Sequence, residues 1–238
     1  MSNNKFLTII SSLFIIICFS INTYAITEKQ YLIINDLIEQ ENIDKAYEDL
    51  KIFQKGTGKL SARSQILIGK IYLALEQPAK AFTFFEKAIF TSTSTDDRAY
   101  AGMSLSSLKL GNLTDAQKYA EKALERNHDL VQAKLALGQV YLDFGQIEKS
   151  EKYFKQAILA SPNSQVSARV YASSKMRQGK LNKAKKIILT ALLNQKPDAA
   201  TIDLLGKIFW VEGNIKEAIN LRKQASQMFI KSGNIKRS

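Results

Sequence analysis

The residue types that most often perform catalysis are few in this sequence, and they lie far apart. The chain of 238 residues contains one histidine, His128, and one cysteine, Cys18. Triad chemistry and metal binding both need several such groups held close together. His128 lies in a predicted turn without partners of this kind, so we interpret it as a solvated turn residue. The sequence therefore predicts no metal site and no cofactor.

Glycine loops and paired carboxylates also have non-catalytic explanations. Gly56 and Gly58 stand outside the strand–turn–helix setting that a phosphate-binding loop requires. The acidic pairs Asp96–Asp97 and Glu48–Asp49 have the character of helix starts and surface charges. We therefore predict that the protein is not an enzyme.

The clearest organisation is in residues 131–164, where two helical patterns follow one another. Apolar and small residues recur at helical spacing up to about Asp143 and again from Ile147 to Leu159. Gly145 separates the two patterns, where a left-handed residue can end the first helix. Pro162 follows the second helix, as expected just beyond a helix end. The segment is predicted to be a helix–turn–helix unit.

This unit recurs along the chain with a period of 34 residues. Three sets of small residues keep this spacing from repeat to repeat. They are Gly111, Gly145, Gly179 and Gly213; Ala116, Ser150, Ala184 and Ala218; and Ala123, Ala157, Ala191 and Ala225. An earlier unit has Glu76 where the others have glycine, so we expect a less regular turn there. One such helix pair cannot bury its apolar face alone, so neighbouring pairs must stack.

The unit resembles a tetratricopeptide repeat, with Gly138, Tyr141, Gly145, Phe154 and Pro162 at the positions that this family's pattern favours. The resemblance implies an all-α fold, a right-handed superhelical solenoid of about six antiparallel helix pairs. The predicted array spans residues 62–232, with repeats at 62–95, 97–130, 131–164, 165–198 and 199–232. Residues 26–61 are either an N-terminal cap or a degenerate repeat, and residues 233–238 are a short basic tail.

Residues 1–25 have the pattern of a secretory signal peptide. A positively charged start with Lys5 precedes an apolar run, and Thr23 and Ala25 occupy the small-residue positions before a cleavage site. Cleavage there predicts an exported, periplasmic protein without cysteine. The alternatives are an uncleaved inner-membrane anchor facing the periplasm and a lipoprotein modified at Cys18. Membrane contact is expected only in these two cases.

The charge of the chain, formally +12, is concentrated near its C-terminal end. Residues 165–198 carry eight basic residues and one acidic residue. Such a field favours anionic partners, among which acidic protein segments suit this chain better than nucleic acid. In the family that the chain resembles, the first helix of each pair lines the concave face. Projected onto this sequence, the family pattern predicts a partner-binding groove. Its residues are Arg63, Lys70, Arg98, Lys109, Gln139, Asp143, Arg169, Arg177, Lys207 and Trp210.

The sequence thus predicts a non-enzymatic scaffold that binds an acidic segment of a partner protein in a basic concave groove. With the export signal, this role points to the assembly or coordination of an envelope complex. A narrower alternative is a pilotin-like factor for secretin or type IV pilus assembly, which the order of export signal and repeats resembles. A third is a structural solenoid that contacts acidic glycan through its basic end.

Overall fold

The computed structural model describes residues 27–39, 42–53, 60–91, 96–193 and 195–231, and all of the regular structure in these residues is helical. The helices are α1 (Glu28–Glu39), α2 (Ile43–Phe53), α3 (Ala62–Ala74), α4 (Pro78–Thr91), α5 (Asp97–Lys109), α6 (Leu113–Arg126), α7 (Val131–Asp143), α8 (Ile147–Ala160), α9 (Gln165–Arg177), α10 (Leu181–Leu192), α11 (Ala199–Val211) and α12 (Ile215–Lys231). Each helix packs on the next, and each odd-numbered helix also packs on the next odd-numbered one. The result is a solenoid of helix pairs.

The turns within the pairs share one geometry. Gly111, Gly145, Gly179 and Gly213 have φ angles between 70° and 84°, in the left-handed region. The turn at Gly145 is closed by a hydrogen bond of 2.8 Å from the Gln146 N–H to the Tyr141 carbonyl. This arrangement satisfies carbonyls that the end of a helix would otherwise leave unpaired.

Glu76 adopts the same left-handed conformation, with φ at 55°. The Gln77 N–H donates to the Tyr72 carbonyl at 2.8 Å, as in the glycine turns. The expectation of a less regular turn is therefore wrong. The backbone of this turn has the same geometry as the glycine turns, although Glu76 carries a side chain.

Close contact between neighbouring helices, both within a pair and between successive pairs, depends on glycine opposite an aromatic ring. A Cβ built on Gly138 would lie 2.6 Å from the Phe154 ring, and one built on Gly102 would lie 2.4 Å from the Phe85 ring. Both rings are fully buried. The 34-residue pattern of small and large residues therefore sets how closely the helices approach.

The first two helices share a hydrophobic core with the helices that follow. Tyr31 and Ile34 of α1 and Leu50 of α2 are buried in one cluster with Ile66 and Phe85. The N-terminal segment therefore packs as a helix pair onto α3.

Other expectations concern the ends of the chain and the loops. The predicted signal peptide and basic tail lie outside the described residues. Asp96 caps α5, because its side chain accepts a hydrogen bond of 2.9 Å from the Arg98 N–H. In the last helix, Ile219 and Ile230 are 56% and 54% exposed, whereas Phe229 is buried. No helix in the described ranges is both long and apolar enough to cross a membrane.

Candidate functional site

The residues predicted to line the groove lie on or beside the first helices of the pairs, and most of the basic ones have acidic partners. Lys109 forms an ion pair of 2.8 Å with Glu76, and Arg177 forms one of 2.6 Å with Asp143. These two pairs join neighbouring repeats, because their members are 33 and 34 residues apart. Asp143 also accepts a long hydrogen bond of 3.4 Å from Gln139.

Two further predicted cations are paired near the C-terminal end. The Arg169 guanidinium lies 2.5 Å from an Asp198 carboxylate oxygen and also donates to the Thr201 hydroxyl at 3.0 Å. Lys207 forms an ion pair of 2.6 Å with Asp203, one turn away on α11. Acidic residues outside the predicted set therefore compensate much of the basic charge that the sequence assigned to this face.

Lys70 has a different environment. Its ammonium donates to the side-chain oxygen of Asn35 and lies 5.7 Å from the centre of the Tyr31 ring. Burial lowers the Lys70 pKa to about 8; Glu39 and Asp96 oppose this change, and Arg98 adds to it. Within the described ranges, no carboxylate oxygen forms an ion pair with Lys70.

Arg98 lies beside Lys70 and forms an ion pair with Asp96. Two nitrogens of its guanidinium donate to the two Asp96 oxygens at 3.0 and 2.9 Å. The guanidinium also lies 4.7 Å from the centre of the Tyr31 ring. Hydrogen bonding and the positive charge of Arg98 keep the pKa of Asp96 below its usual value against the effect of burial. This carboxylate therefore stays ionised at neutral pH.

Lys70 and Arg98 together line a recess of about 160 Å³. Asn35 and Gln132 provide amide groups at its edge, and Leu105 and Leu130 provide apolar walls. Cations, amides and aliphatic side chains in one recess suit an acidic side chain with an adjoining apolar group. We call this feature the Lys70 recess.

The remaining predicted residues are more dispersed. Arg63 lies partly buried in the first turn of α3. Trp210 is 51% exposed near the end of α11, in a hollow that it shares with Ile219 and Phe229. It is therefore not a core residue, although core packing is the commoner role of such a tryptophan.

A larger hollow of about 1180 Å³ was not predicted from the sequence. Turn residues that precede α7, α9 and α11 line it, together with residues of α1 and α12. Its charged side chains are Asp36, Glu39, Asp129, Lys196 and Asp198. Acidic groups thus outnumber basic ones there, so the basic character predicted for the groove does not extend to this hollow. The residues that line this hollow lie mainly in the turns between repeats, whereas the projected family pattern considered only the first helices of the pairs.

The described residues offer no cluster of histidine, cysteine, aspartate and glutamate that would hold a metal ion. His128 is exposed in the turn before α7.

Comparison with known proteins shows that two stretches of the array are similar to one family. Models of the tetratricopeptide repeat match residues 62–89 and 107–172. Tetratricopeptide repeat protein 29 of Homo sapiens is 28% identical over 146 residues, which cover 54% of this chain and 31% of the relative. The chain therefore spans less than a third of that relative's length.

Solved structures with a similar fold include the following three proteins. A thermophilic TPR protein of Thermus thermophilus has a TM-score of 0.65 and 18% identity, covering 74% of this chain and 95% of its own. A tetratricopeptide repeat protein of Parabacteroides merdae has a TM-score of 0.63 and 20% identity, covering 87% of this chain and 83% of its own. The type IV pilus biogenesis factor PilW has a TM-score of 0.55 and 19% identity, covering 87% and 95%. At these identities the likeness extends to the fold alone.

Proposed function

We propose that this chain, which contains tetratricopeptide repeats, is an exported scaffold without catalytic activity that binds an acidic segment of a partner protein on its inner face. Tetratricopeptide repeats mediate protein–protein interaction. We further propose that the chain is exported and that the partner segment is acidic. The proposed setting is the assembly or coordination of an envelope complex.

The observation that carries the proposal is the Lys70 recess. Lys109 and Lys207, the other predicted lysines of this face, already contact carboxylates. The Lys70 ammonium is partly buried beside Arg98 and contacts an amide oxygen instead. A partner carboxylate that entered the recess would offset the unfavourable burial of this ammonium.

The test is site-specific photo-crosslinking in the native host. A photoreactive amino acid replaces Gln132, which is exposed at the edge of the recess. The full chain should form one discrete cross-linked product with a partner protein. Replacement of Lys70 by glutamine should reduce this product, and replacement of the exposed Lys45 by glutamine should leave it unchanged. A product that forms equally in both variants would remove the recess from the binding site.

Export is tested by the mass of the protein recovered from the cell envelope. A chain that begins at Ile26 supports cleavage after Ala25 and a periplasmic location. A full-length chain in the membrane fraction supports an anchor. A lipid-modified chain that begins at Cys18 supports a lipoprotein.

The pilotin-like role is the first alternative. Two features support it. The predicted export signal precedes the repeats, and the chain shares its fold with PilW, a type IV pilus biogenesis factor. Loss of secretin multimers on deletion of the gene, with a lipid-modified Cys18, would favour this alternative. Normal multimers and cleavage after Ala25 would oppose it.

The second alternative is a structural solenoid that contacts acidic glycan through residues 165–238. Salt-sensitive binding of the purified chain to an acidic polysaccharide would favour it, provided that no protein is cross-linked at the Lys70 recess.

A further inference from the structure

The outer surface of the array has an apolar groove of about 690 Å³ between α8 and α10. Ile158, Ala168, Tyr171, Ile187 and Ala191 form its apolar lining. These residues belong to second helices and to the buried side of α9, so the groove is distinct from the Lys70 recess. We call it the outer groove.

The groove is open where its repeat has no aromatic residue at two positions that are aromatic in the preceding repeat. In the preceding repeat, the rings of Tyr141 and Tyr153 stack with their centres 5.5 Å apart. The positions 34 residues later hold Lys175 and Ile187. The Tyr171 ring stacks instead on the Phe154 ring, with the ring centres 5.4 Å apart, so it does not fill the space beside Lys175 and Ile187. The substitution of an aromatic pair by an aliphatic and a charged side chain thus leaves a depression at this position.

All of the charged residues that line the outer groove are lysines. Lys175 is buried and bound to Glu151, so its charge is compensated. Lys155, Lys183 and Lys186 are exposed around the groove. In the preceding repeat the position equivalent to Lys155 is Glu121, whereas Lys149 and Lys152 occupy the positions equivalent to Lys183 and Lys186. Lys155 is therefore the rim lysine that the preceding repeat lacks.

Large aliphatic side chains continue the apolar surface beyond the groove. Leu159 is 78% exposed at its edge, and Leu193 occupies the equivalent position 34 residues later and is 76% exposed. Exposed apolar residues that adjoin a recessed apolar floor indicate a contact surface.

We propose that the outer groove binds an acidic amphipathic helix of a partner protein. The apolar face of such a helix fits against Ile158, Ile187 and Leu159, and its acidic residues pair with the lysines of the rim. The floor lies recessed between two helices, which suits the ridge of side chains on a helix. A flat lipid surface would contact the lysines and leave the floor uncovered.

The test uses a fluorescein-labelled peptide helix of about five turns with leucines on one face and glutamates on the other. Anisotropy should show saturable binding to the full chain. Charge reversal in Lys183→Glu/Lys186→Glu should weaken binding by about tenfold or more. Lys45→Glu/Lys80→Glu changes the net charge equally at exposed lysines of the first two helix pairs and should bind the peptide as the wild type does.

A second variant tests the floor without changing any charge. Ile187→Tyr restores the aromatic residue that the preceding repeat has at Tyr153, and it should also weaken peptide binding by about tenfold. Circular dichroism confirms that each variant is folded. A peptide with glutamine in place of glutamate should bind much more weakly to the wild type.

Either of two results would overturn the proposal. One is equal peptide affinity for the wild type and Lys183→Glu/Lys186→Glu. The other is absence of peptide binding while phosphatidylglycerol vesicles bind in a manner that depends on the same two lysines, which would identify a lipid surface. The outcome is independent of the Lys70 recess, because none of the variants alters that site.

Discussion

At the scale of single residues, Lys70 combines a charge with an environment that disfavours it. Burial lowers its pKa to about 8, although Glu39 and Asp96 act in the opposite direction. An ammonium in this condition gains more from an incoming carboxylate than a solvated lysine does. This difference is why the proposed anchor is Lys70 rather than the more exposed Lys207.

The lowered pKa predicts a pH dependence of stability. Between about pH 8 and 10.5 the folded chain releases the Lys70 proton while the unfolded chain retains it. The free energy of unfolding should therefore rise with pH across this window, and Lys70→Met should lack that increment. Chemical denaturation of both proteins at about pH 7 and about pH 10 measures the difference. An equal change in the two proteins would show that Lys70 is solvated.

Glu76 carries a second prediction at this scale. A non-glycine residue in the left-handed region costs about 1 kcal/mol relative to glycine. The ion pair of Glu76 with Lys109 is 66% and 41% exposed at its two side chains, so its loss has a small effect. Glu76→Gly should therefore stabilise the chain by up to about 1 kcal/mol, as measured by urea denaturation.

Glu76→Gln is the matched control, because it removes the charge and keeps the strained backbone. It should not stabilise the chain. Gly145→Ala places a Cβ in the same type of turn and should destabilise the chain by about 1 kcal/mol. If Glu76→Gly and Glu76→Gln had the same effect, the backbone conformation would not be the cause.

The sequence predicted cations on the inner face but not their partners. Asp143 and Arg177 are 34 residues apart, so their contact follows from the repeat register once neighbouring repeats are known to stack in line. The contact of Lys175 with Glu151 does not follow from that register, since it depends on Lys175 occupying a position that is aromatic in the preceding repeat. Residue types and period were sufficient for the fold, whereas the balance of charge needed three-dimensional contacts.

At the scale of the elements, the approach of paired helices is set by glycine opposite phenylalanine. Ser150 shows how closely the elements fit: this residue stands where the family pattern has alanine, and its hydroxyl donates to the Gly138 carbonyl at 2.7 Å. The hydroxyl is thereby satisfied within a buried contact. Position 150 therefore accommodates a buried hydroxyl because the backbones of α7 and α8 are close enough for it to reach the Gly138 carbonyl.

This contact predicts the effect of adding one methyl group. A Cβ at position 138 would lie 2.6 Å from the Phe154 ring, so Gly138→Ala should destabilise the chain by about 1–3 kcal/mol. Phe154→Leu should destabilise it through lost packing, and the double variant should be more stable than the sum of the two effects predicts. Denaturation of all four proteins measures this coupling, and simple additivity would show that the ring moves aside without cost.

The ends of the last helix show where element-level prediction stops. On the last helix, Phe229 is buried, whereas Ile219 and Ile230 are exposed. Phe229 packs in a cluster with Ile202 and Ala225, so it belongs to the contact between α11 and α12. Helical spacing predicts which face of a helix a residue lies on. The angle between two packed helices decides which residues of that face the neighbouring helix covers.

At the scale of the whole molecule, the buried residues form several clusters along the array rather than a single centre. One cluster joins α1 to α5, and others lie between successive helices up to α12. Repeat arrays of this kind have a stability that is approximately the sum of each unit and its contacts with neighbours. A unit with a neighbour on one side only should open more readily than an inner one.

This organisation predicts a gradient in amide hydrogen exchange. Protection should be highest in α5 to α8 and lower in α12, whose outward face leaves Ile219 and Ile230 exposed. Phe229→Ala removes a ring that is 4% exposed and should reduce protection in α11 and α12 by about 3 kcal/mol, with little change in α5. Exposed Ile230→Ala is the matched control and should have a much smaller effect. A uniform loss of protection in every helix of the Phe229→Ala variant would instead mean that the array unfolds as one cooperative unit, so that binding at either proposed surface would be coupled to the stability of the whole chain.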